Sequence, residues 1–307
     1  PSRATAIVSL DSPHAAIALL ALAKEQTGGG VEAFELMGRR GVGFVLKHIA
    51  GMREPLAEVH PWYVLIETAS GEPGAAQSAL ERLLALALEQ GLITDAAIAQ
   101  DGAQAKAFWA IRENQSAGQK TEGAAWKHDV SVPVSQVADF IDEATAAVEA
   151  FQPGCRVVAF GHVGDGNVHY DVLVPDGGDG EAHSALRDQG AQIVHDIVAR
   201  RMGSISAEHG IGTLKRDWLG HSRSPVELAV MWQIKAALDQ TIAAFGRLDA
   251  AFNNAGIEQP GASIVDLTEE MLDRVAEAYD AAGRAADADA FLAGIYPGLA
   301  RQFGYWQ

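Results

Sequence analysis

The stretch VVAFGHVGDGNVHY, residues 157–170, decides the fold of its part of the chain. An apolar run ends in a glycine-rich loop and an alternating run follows, which predicts a strand, a turn and a second strand. Because side chains alternate along a strand, Asn167, His169 and Asp171 are predicted on one face, with the apolar residues between them on the other. His162 stands where the first strand meets the loop. The pattern brings two imidazoles close together and predicts the rim of a site.

A second stretch, GSISAEHGIG at residues 203–212, adds a carboxylate and a third imidazole. Two histidines and one glutamate are a common ligand set for a divalent metal such as zinc, and they leave positions open for substrate. We therefore predict that His162, His169 and Glu208 bind the metal. His209 then remains available to move protons, a task that imidazoles perform near neutral pH.

Two cations precede this ligand set in an otherwise acidic chain. Arg112 offers a fixed fork of donors that suits a carboxylate, and Lys127 offers a point charge. Together they predict an anionic substrate. The alternative for Arg112 is a surface ion pair with Glu113 or with a nearby helix, since such pairs are common.

The motifs GHVGDGNVH and SAEHGIG, with Lys215 after them, strongly resemble the C-terminal half of the FAD-linked 2-hydroxyacid dehydrogenases. That family includes D-lactate dehydrogenase, a glycolate oxidase subunit and D-2-hydroxyglutarate dehydrogenase, and the last branch is the most similar. The resemblance covers about residues 1–240. It implies an α+β cap domain in which an antiparallel sheet carries helices on one side and covers a flavin held by a separate N-terminal domain.

The resemblance also implies a reaction, the oxidation of a D-2-hydroxy acid such as 2-hydroxyglutarate or lactate to the 2-keto acid. FAD, bound mainly by a domain or chain not present here, would take the hydride, and the electron acceptor stays open. The metal held by His162, His169 and Glu208 would polarise the substrate, and His209 would act as the general base. Substrate-binding residues implied by the resemblance are Arg112, Ser116, Lys127 and Asn167, although Asn167 could also serve the turn.

The C-terminal segment departs from this pattern. Residues 241–275 resemble a short-chain dehydrogenase/reductase through the NNAG motif at 253–256, but the family's glycine-rich phosphate loop and its Tyr-x-x-x-Lys pair are missing. We predict a tail over residues 241–307 with a mostly helical end and no activity of its own. Two alternatives to the flavoenzyme remain: a catalytically silent metal-binding cap domain, and a nicotinamide-dependent reductase based on the tail.

Composition limits the partners. The chain has 307 residues with 40 acidic and 23 basic side chains, a formal charge of -17, which argues against nucleic acid and anionic membrane as partners. One cysteine excludes an intrachain disulfide and agrees with a cytoplasmic location. The sequence contains no apolar run long enough to form a transmembrane segment. The N-terminus has neither an initiator Met nor a signal-peptide pattern, and we expect it to be the start of a fragment.

Periodicity predicts the remaining elements. Strands are expected at residues 5–10, 31–37, 62–68 and 125–133, and helices at 12–24, 75–89, 181–202 and 225–237. Four further histidines lack a partner pattern and are predicted to be surface residues: His128, His183, His195 and His221.

Overall fold

The computed structural model describes residues 2–212 and 215–246. The chain divides into two compact units, Pro1–Pro225 and Val226–Gln307, which are described separately. The first unit contains a seven-stranded antiparallel sheet with the strand order β4-β1-β3-β2-β6-β7-β5. The strands are β1 (Ser2–Leu10), β2 (Val31–Gly38), β3 (Trp62–Ser70), β4 (Asp95–Ile98), β5 (Ala125–Ser131), β6 (Arg156–His162) and β7 (Asn167–Leu173).

Ten α-helices occur in the described residues, and the last of them lies almost wholly in the second unit. They are α1 (Pro13–Thr27), α2 (Arg39–His48), α3 (Ala75–Glu89), α4 (Gly102–Glu113), α5 (Gln115–Gly118), α6 (Val137–Phe151), α7 (Gly180–Ala185), α8 (Arg187–Arg200), α9 (Leu219–Ser222) and α10 (Pro225–Phe245). None of these helices has the length and apolar character needed to cross a membrane.

The predicted α+β fold with an antiparallel sheet is confirmed, and its core has two layers. The long helices α1, α3, α6 and α8 bury their apolar residues against one face of the sheet. The shorter helices α2, α4 and α5 lie over part of the other face, where α2 and α4 contribute Val42, Phe108 and Ile111 to a smaller cluster. This second layer adds to the helices expected on one side, and it leaves room on the same face for polar side chains.

Local sequence signals account for most element boundaries. Helix α1 begins as expected, because the Ser12 hydroxyl accepts a hydrogen bond from the backbone N–H of Ala15 and Pro13 occupies the first turn. The predicted helix over 181–202 is instead interrupted at Leu186, between α7 and α8. Helix α10 continues to Phe245 and so passes the domain boundary that the sequence predicts near residue 240. That domain boundary stays a prediction. Apart from residues 241–246, the fragment over 241–275 lies outside the described residues.

The turn between β6 and β7 depends on one glycine. A short 3-10 turn at Val163–Asp165 is followed by Gly166, whose φ of 83° lies in the left-handed region. Asp165 stabilises the turn, since its carboxylate accepts a hydrogen bond of 3.1 Å from the Asn167 N–H. A Cβ atom at Gly166 would collide with the carbonyl oxygen of Val132, so the turn packs directly on the chain that follows β5.

Three histidines predicted to be surface residues are buried, which corrects the sequence analysis. His128 and His183 are 3% and 0% exposed, and His195 is 6% exposed on α8. His183 stacks on Trp126 at 4.3 Å between ring centroids, and His128 Nδ1 donates a hydrogen bond of 2.8 Å to the Tyr170 carbonyl oxygen. Single histidines on otherwise apolar faces gave no sign of this burial. The side chain of His221 is not among those described.

We expect Gly166→Ala to lower the free energy of unfolding by about 2 kcal/mol, because it combines a left-handed conformation with a backbone collision. Gly164→Ala is the matched control in the same turn, since open space surrounds the position of its Cβ atom. Urea denaturation followed by circular dichroism would measure both variants. Equal stability of the two variants would contradict this account of the turn.

His195 should make the protein less stable in acid. Burial, followed by the charge of Lys215, lowers its pKa from 6.5 to about 4, and neither ring nitrogen has a hydrogen-bond partner within the described residues. Unfolding therefore takes up a proton as the pH falls from about 6.5 towards 4, and stability is lost over that window. His195→Leu should reduce the loss between pH 7 and pH 5 by about 1–2 kcal/mol.

The exposed His14 provides the control for this experiment, as His14→Leu removes an imidazole from a surface helix. Thermal unfolding would be recorded at several pH values for both variants. A pH dependence that His195→Leu leaves unchanged would show that the buried imidazole is not its source.

Candidate metal and substrate site

The three predicted metal ligands meet on the sheet face that carries the shorter helices. His162 ends β6, His169 lies in β7, and Glu208 belongs to the loop that follows α8. The Glu208 carboxylate lies between the two imidazoles, with Oε1 3.3 Å from His162 Nε2 and Oε2 3.9 Å from His169 Nε2. Alternation along β7 is as predicted, because Val168, Tyr170 and Val172 pack into the core behind the sheet.

A buried carboxylate holds His162 from behind. Glu35 on β2 is 2% exposed and lies directly across from His162 in the antiparallel register. Its Oε1 is 2.6 Å from His162 Nδ1, and its Oε2 accepts a hydrogen bond of 2.7 Å from Arg112 Nε. Arg112 therefore forms a buried ion pair with Glu35, and the surface pair considered from the sequence does not occur.

Asp129 connects the sheet to the loop that carries Glu208 and His209. This side chain is 7% exposed and lies on β5, opposite His169 in the register with β7. Asp129 Oδ2 accepts hydrogen bonds from the backbone N–H groups of Glu208 at 2.9 Å and His209 at 2.8 Å. Lys215 adds a further tie, since its Nζ donates to the Ile205 carbonyl oxygen at 2.7 Å. The loop is thus fixed through its backbone, while Glu208 and His209 project from it with exposed side chains.

Of the other predicted site residues, Asn167 lies at the centre of the site, whereas Lys127 and Ser116 are exposed. Asn167 is buried and donates from Nδ2 to Glu208 Oε1, so it belongs to the centre of the site. Lys127 is exposed on β5, two residues before Asp129, and lies across from Asp171 on β7. Ser116 is exposed on α5, and none of its side-chain contacts joins it to the other residues. Burial raises the pKa of Asp171 to about 6, although the charge of Lys127 acts in the opposite direction.

The two candidate histidine ligands differ in their electrostatic surroundings. Burial, assisted by the charge of Arg112, lowers the pKa of His169 to about 4 and keeps its imidazole neutral. The hydrogen bond from His162 to Glu35 raises the pKa of His162 despite partial burial. Burial alone would raise the pKa of Glu35, but its bond to His162 and the charge of Arg112 together lower it. Glu35 therefore stays ionised at neutral pH.

The donor atoms fit a divalent metal. Imidazole nitrogen and carboxylate oxygen are the zinc ligands found in proteins beside thiolate. Within the described residues, one group of donor atoms lies within 4.8 Å of one another, with one ligand atom each from Asp129, His169, Glu208 and His209. His162 is not in this group and joins the site through Glu208 Oε1 at 3.3 Å. The buried atoms Asp129 Oδ1 and Asn167 Oδ1 have no hydrogen-bond partner among these residues. Such buried oxygen atoms beside converging ligands are consistent with a site built for an ion or a polar substrate.

Glu35 and Asp129 were missed by the sequence analysis. Glu35 lies between Phe34 and Leu36 in the apolar part of β2, and Asp129 shares the Lys127 face of its strand. A carboxylate flanked by apolar residues inside a strand is a usable signal, because a buried carboxylate needs a partner. The identity of that partner depends on strand pairing, which these local patterns do not define.

Comparisons with known proteins identify the family to which this chain is related. The family described as FAD linked oxidases, C-terminal domain, matches residues 1–241. The D-2-hydroxyglutarate dehydrogenase of Xanthomonas citri pv. viticola is 40% identical over 213 residues, which cover 68% of this chain and 43% of that protein. The D-2-hydroxyglutarate dehydrogenase, mitochondrial, of Arabidopsis thaliana is 34% identical over 221 residues, covering 72% of this chain and 38% of that protein.

A solved structure shares the fold. The structure of p-cresol methylhydroxylase with substrate bound superposes with a TM-score of 0.56 at 13% identity, over 78% of this chain and 51% of that one. The present chain spans about two fifths of the length of the two dehydrogenases described above. Because the family match extends over most of the chain, the protein belongs to the FAD-linked oxidases and represents their C-terminal domain.

Proposed function

We propose that this chain forms the substrate-binding part of an FAD-dependent dehydrogenase that oxidises a D-2-hydroxy acid to the 2-keto acid. The observation that carries the proposal is the Glu208 carboxylate, which faces His162 at 3.3 Å and His169 at 3.9 Å. His209 belongs with His169, Glu208 and Asp129 to a group of donor atoms within 4.8 Å of one another. The names of the similar dehydrogenases favour 2-hydroxyglutarate over lactate as the substrate class. The chain spans about two fifths of the length of those dehydrogenases, and the complete reaction is part of the proposal.

His162, His169 and Glu208 would hold a divalent metal, which we propose to be zinc. When bound, the metal would polarise the hydroxyl and carboxylate groups of the substrate. Both imidazoles would bind it in the neutral form, and the lowered pKa of His169 keeps that residue neutral across the physiological range. Asn167 would orient Glu208 through its amide N–H and could offer its free Oδ1 to the substrate hydroxyl.

His209 would remove the proton from the substrate hydroxyl. Its backbone is held by Asp129, whereas its side chain is exposed, so the imidazole can reach a bound molecule. FAD, carried mainly by a region outside this chain, would supply the acceptor for the hydride from the substrate carbon. A cytoplasmic location stays a prediction, as some similar proteins are named mitochondrial.

Lys127 is the better candidate for the second carboxylate of a dicarboxylic substrate. Arg112 already shares its charge with the buried carboxylate of Glu35 and so has less to offer an anion. Lys127 is exposed and makes no ion pair within residues 2–212 and 215–246. A charge-assisted hydrogen bond to a substrate carboxylate contributes about 1.5–3 kcal/mol. Ser116 is proposed as a neighbouring polar contact on the strength of its motif position alone.

The assignment of His209 is tested by separating activity from metal content. In the natural protein that carries this chain, His209→Ala should lower kcat by about two to four orders of magnitude, the usual contribution of a general base, and should keep its metal. His169→Ala should lose both metal and activity, because it removes a ligand. Elemental analysis and a redox-dye assay would give the two readouts.

Loss of metal in His209→Ala would make His209 a ligand and would contradict the proposed division of roles. Full metal content in His169→Ala would remove the proposed metal site. If the wild-type protein binds metal but shows no flavin absorbance and oxidises no hydroxy acid, the domain is a silent metal-binding cap. Saturable NADH or NADPH binding would support the reductase alternative based on the tail.

The role of Lys127 is tested by comparing substrates. Lys127→Ala should raise KM about 10–100-fold for D-2-hydroxyglutarate and only slightly for D-lactate, which lacks the second carboxylate. Lys106→Ala, which changes an exposed lysine on α4, is the matched control and should change neither KM. Equal effects of Lys127→Ala on both substrates would assign Lys127 to the shared carboxylate instead.

A further inference from the structure

Each candidate histidine ligand lies opposite a buried carboxylate on the neighbouring strand. His162 on β6 is the direct register partner of Glu35 on β2. His169 on β7 is the direct register partner of Asp129 on β5. Cross-strand partners have their Cβ atoms about 4.5–5.5 Å apart on the same face, so these pairs are built into the sheet. Neither carboxylate belongs to the proposed ligand set of His162, His169 and Glu208.

The contact between Glu35 and His162 defines which ring nitrogen carries the proton. An ionised carboxylate can only accept hydrogen bonds, so the 2.6 Å contact requires a proton on His162 Nδ1. The lone pair of the neutral ring is then on Nε2, which faces Glu208 Oε1 at 3.3 Å and accepts from Arg112 Nη2 at 3.4 Å. Arg112 also binds the second oxygen of Glu35, since its Nε donates there at 2.7 Å.

Asp129 divides its two oxygens between two tasks. Oδ2 accepts the backbone N–H groups of Glu208 and His209, which holds the loop against the sheet. Oδ1 is buried without a hydrogen-bond partner in the described chain and lies 3.8 Å from His169 Nδ1. A proton on Nδ1 would be attracted by this oxygen, leaving the Nε2 lone pair directed towards Glu208 Oε2 at 3.9 Å.

We propose that Glu35 and Asp129 are positioning residues that hold His162 and His169 in the tautomer whose Nε2 binds the metal. The inference rests on the metal site in the proposed function. Carboxylates behind metal-bound histidines commonly orient the ring and raise its basicity, and losing such a partner typically weakens metal affinity about 10–100-fold. Asp129 additionally fixes the backbone from which Glu208 and His209 reach the site.

Geometry favours this role for Asp129 over direct coordination. Its carboxylate is close enough to the other donors to be counted among them, within 4.8 Å. However, Oδ2 is already engaged by two N–H groups, and Oδ1 lies on the Nδ1 side of His169. Glu208, by contrast, approaches His169 on the Nε2 side, where it also meets His162.

The variants Asp129→Asn and Glu35→Gln test the proposal with little change in side-chain size. In Asp129→Asn the amide oxygen can still accept the two backbone N–H groups, which turns the amide N–H group towards His169 Nδ1 and favours the wrong tautomer. In Glu35→Gln only one of the two carboxylate oxygens remains, so one of the contacts with His162 Nδ1 and Arg112 Nε meets an amide N–H group instead. Each variant should bind zinc about 10–100-fold more weakly than the wild-type protein.

Two controls match these variants in chemistry and strand position. Glu67→Gln changes a carboxylate on β3 that accepts from Trp109 Nε1 and Thr5 Oγ1. Asp171→Asn changes a buried aspartate on β7 that faces Lys127. Both variants should bind zinc within about twofold of the wild-type protein, because neither carboxylate is the cross-strand partner of His162 or His169.

Zinc affinity would be measured on the natural protein by competition with a chromophoric chelator, with circular dichroism confirming the fold of each variant. Weaker binding by Asp129→Asn and Glu35→Gln but not by the controls supports the proposal. Wild-type affinity in both folded variants overturns it and leaves the metal site standing. A wild-type protein without zinc affinity rejects the proposed metal site itself, a distinguishable result.

The absorption spectrum of the Co²⁺-substituted protein separates positioning from coordination. If Asp129 only orients His169, the visible bands of Asp129→Asn keep their position and intensity once the site is saturated. A changed coordination spectrum would make Asp129 a ligand and overturn its assigned role. If Glu35→Gln does not fold, Asp129→Asn with its preserved loop contacts still decides the question.

Discussion

The carboxylate of Asp129 is the contact on which the arrangement of the site depends. It lies on a strand at the edge of the sheet, yet it accepts hydrogen bonds from two consecutive backbone N–H groups of a loop almost 80 residues further along the chain. Those N–H groups belong to Glu208 and His209, so one side chain fixes the backbone from which both functional side chains extend. The buried position of Asp129 makes this anchor stronger than the same contact would be in water.

The antiparallel register brings the remaining site residues close to this anchor. Strand pairing places His162 against Glu35 and His169 against Asp129, all on the face that the shorter helices leave partly open. The opposite face of the same strands is filled by aliphatic and aromatic side chains under the four long helices. One-residue slippage of β7 would exchange the two sets, burying polar groups in the core. The core therefore protects the register, and the register keeps the imidazoles and carboxylates together.

Charge is also balanced locally rather than across the whole chain. The acidic composition would disfavour a small anionic substrate in general, but Arg112, Lys127 and Lys215 are placed around the site. Arg112 is largely neutralised by Glu35, and Lys215 is used for backbone contacts, which leaves Lys127 as the side chain best able to meet a second carboxylate. The sequence predicted that both Arg112 and Lys127 bind an anionic substrate and did not indicate that Glu35 would neutralise Arg112.

Much of the fold and half of the site could be predicted from the sequence. Alternation along residues 167–173 and the glycine-rich turn identified β7, its polar face and the histidines on it, because these signals act over a few residues. The N-cap at Ser12 and the helix over 75–89 were predicted for the same reason. The burial of His128, His183 and His195 was not, since a lone histidine has no local signature of its partners.

What the sequence by itself determined is which residue types occur in which local patterns: two imidazoles around a turn, a carboxylate and an imidazole in a second loop, and the strands that carry them. Only the tertiary structure decided that Glu35 lies behind His162, that Asp129 holds the loop of Glu208, and that Arg112 is committed to a buried pair. The physical reason is that these contacts join residues 77 or more positions apart along the chain. Their partners follow from strand register and helix packing, which the whole core stabilises together.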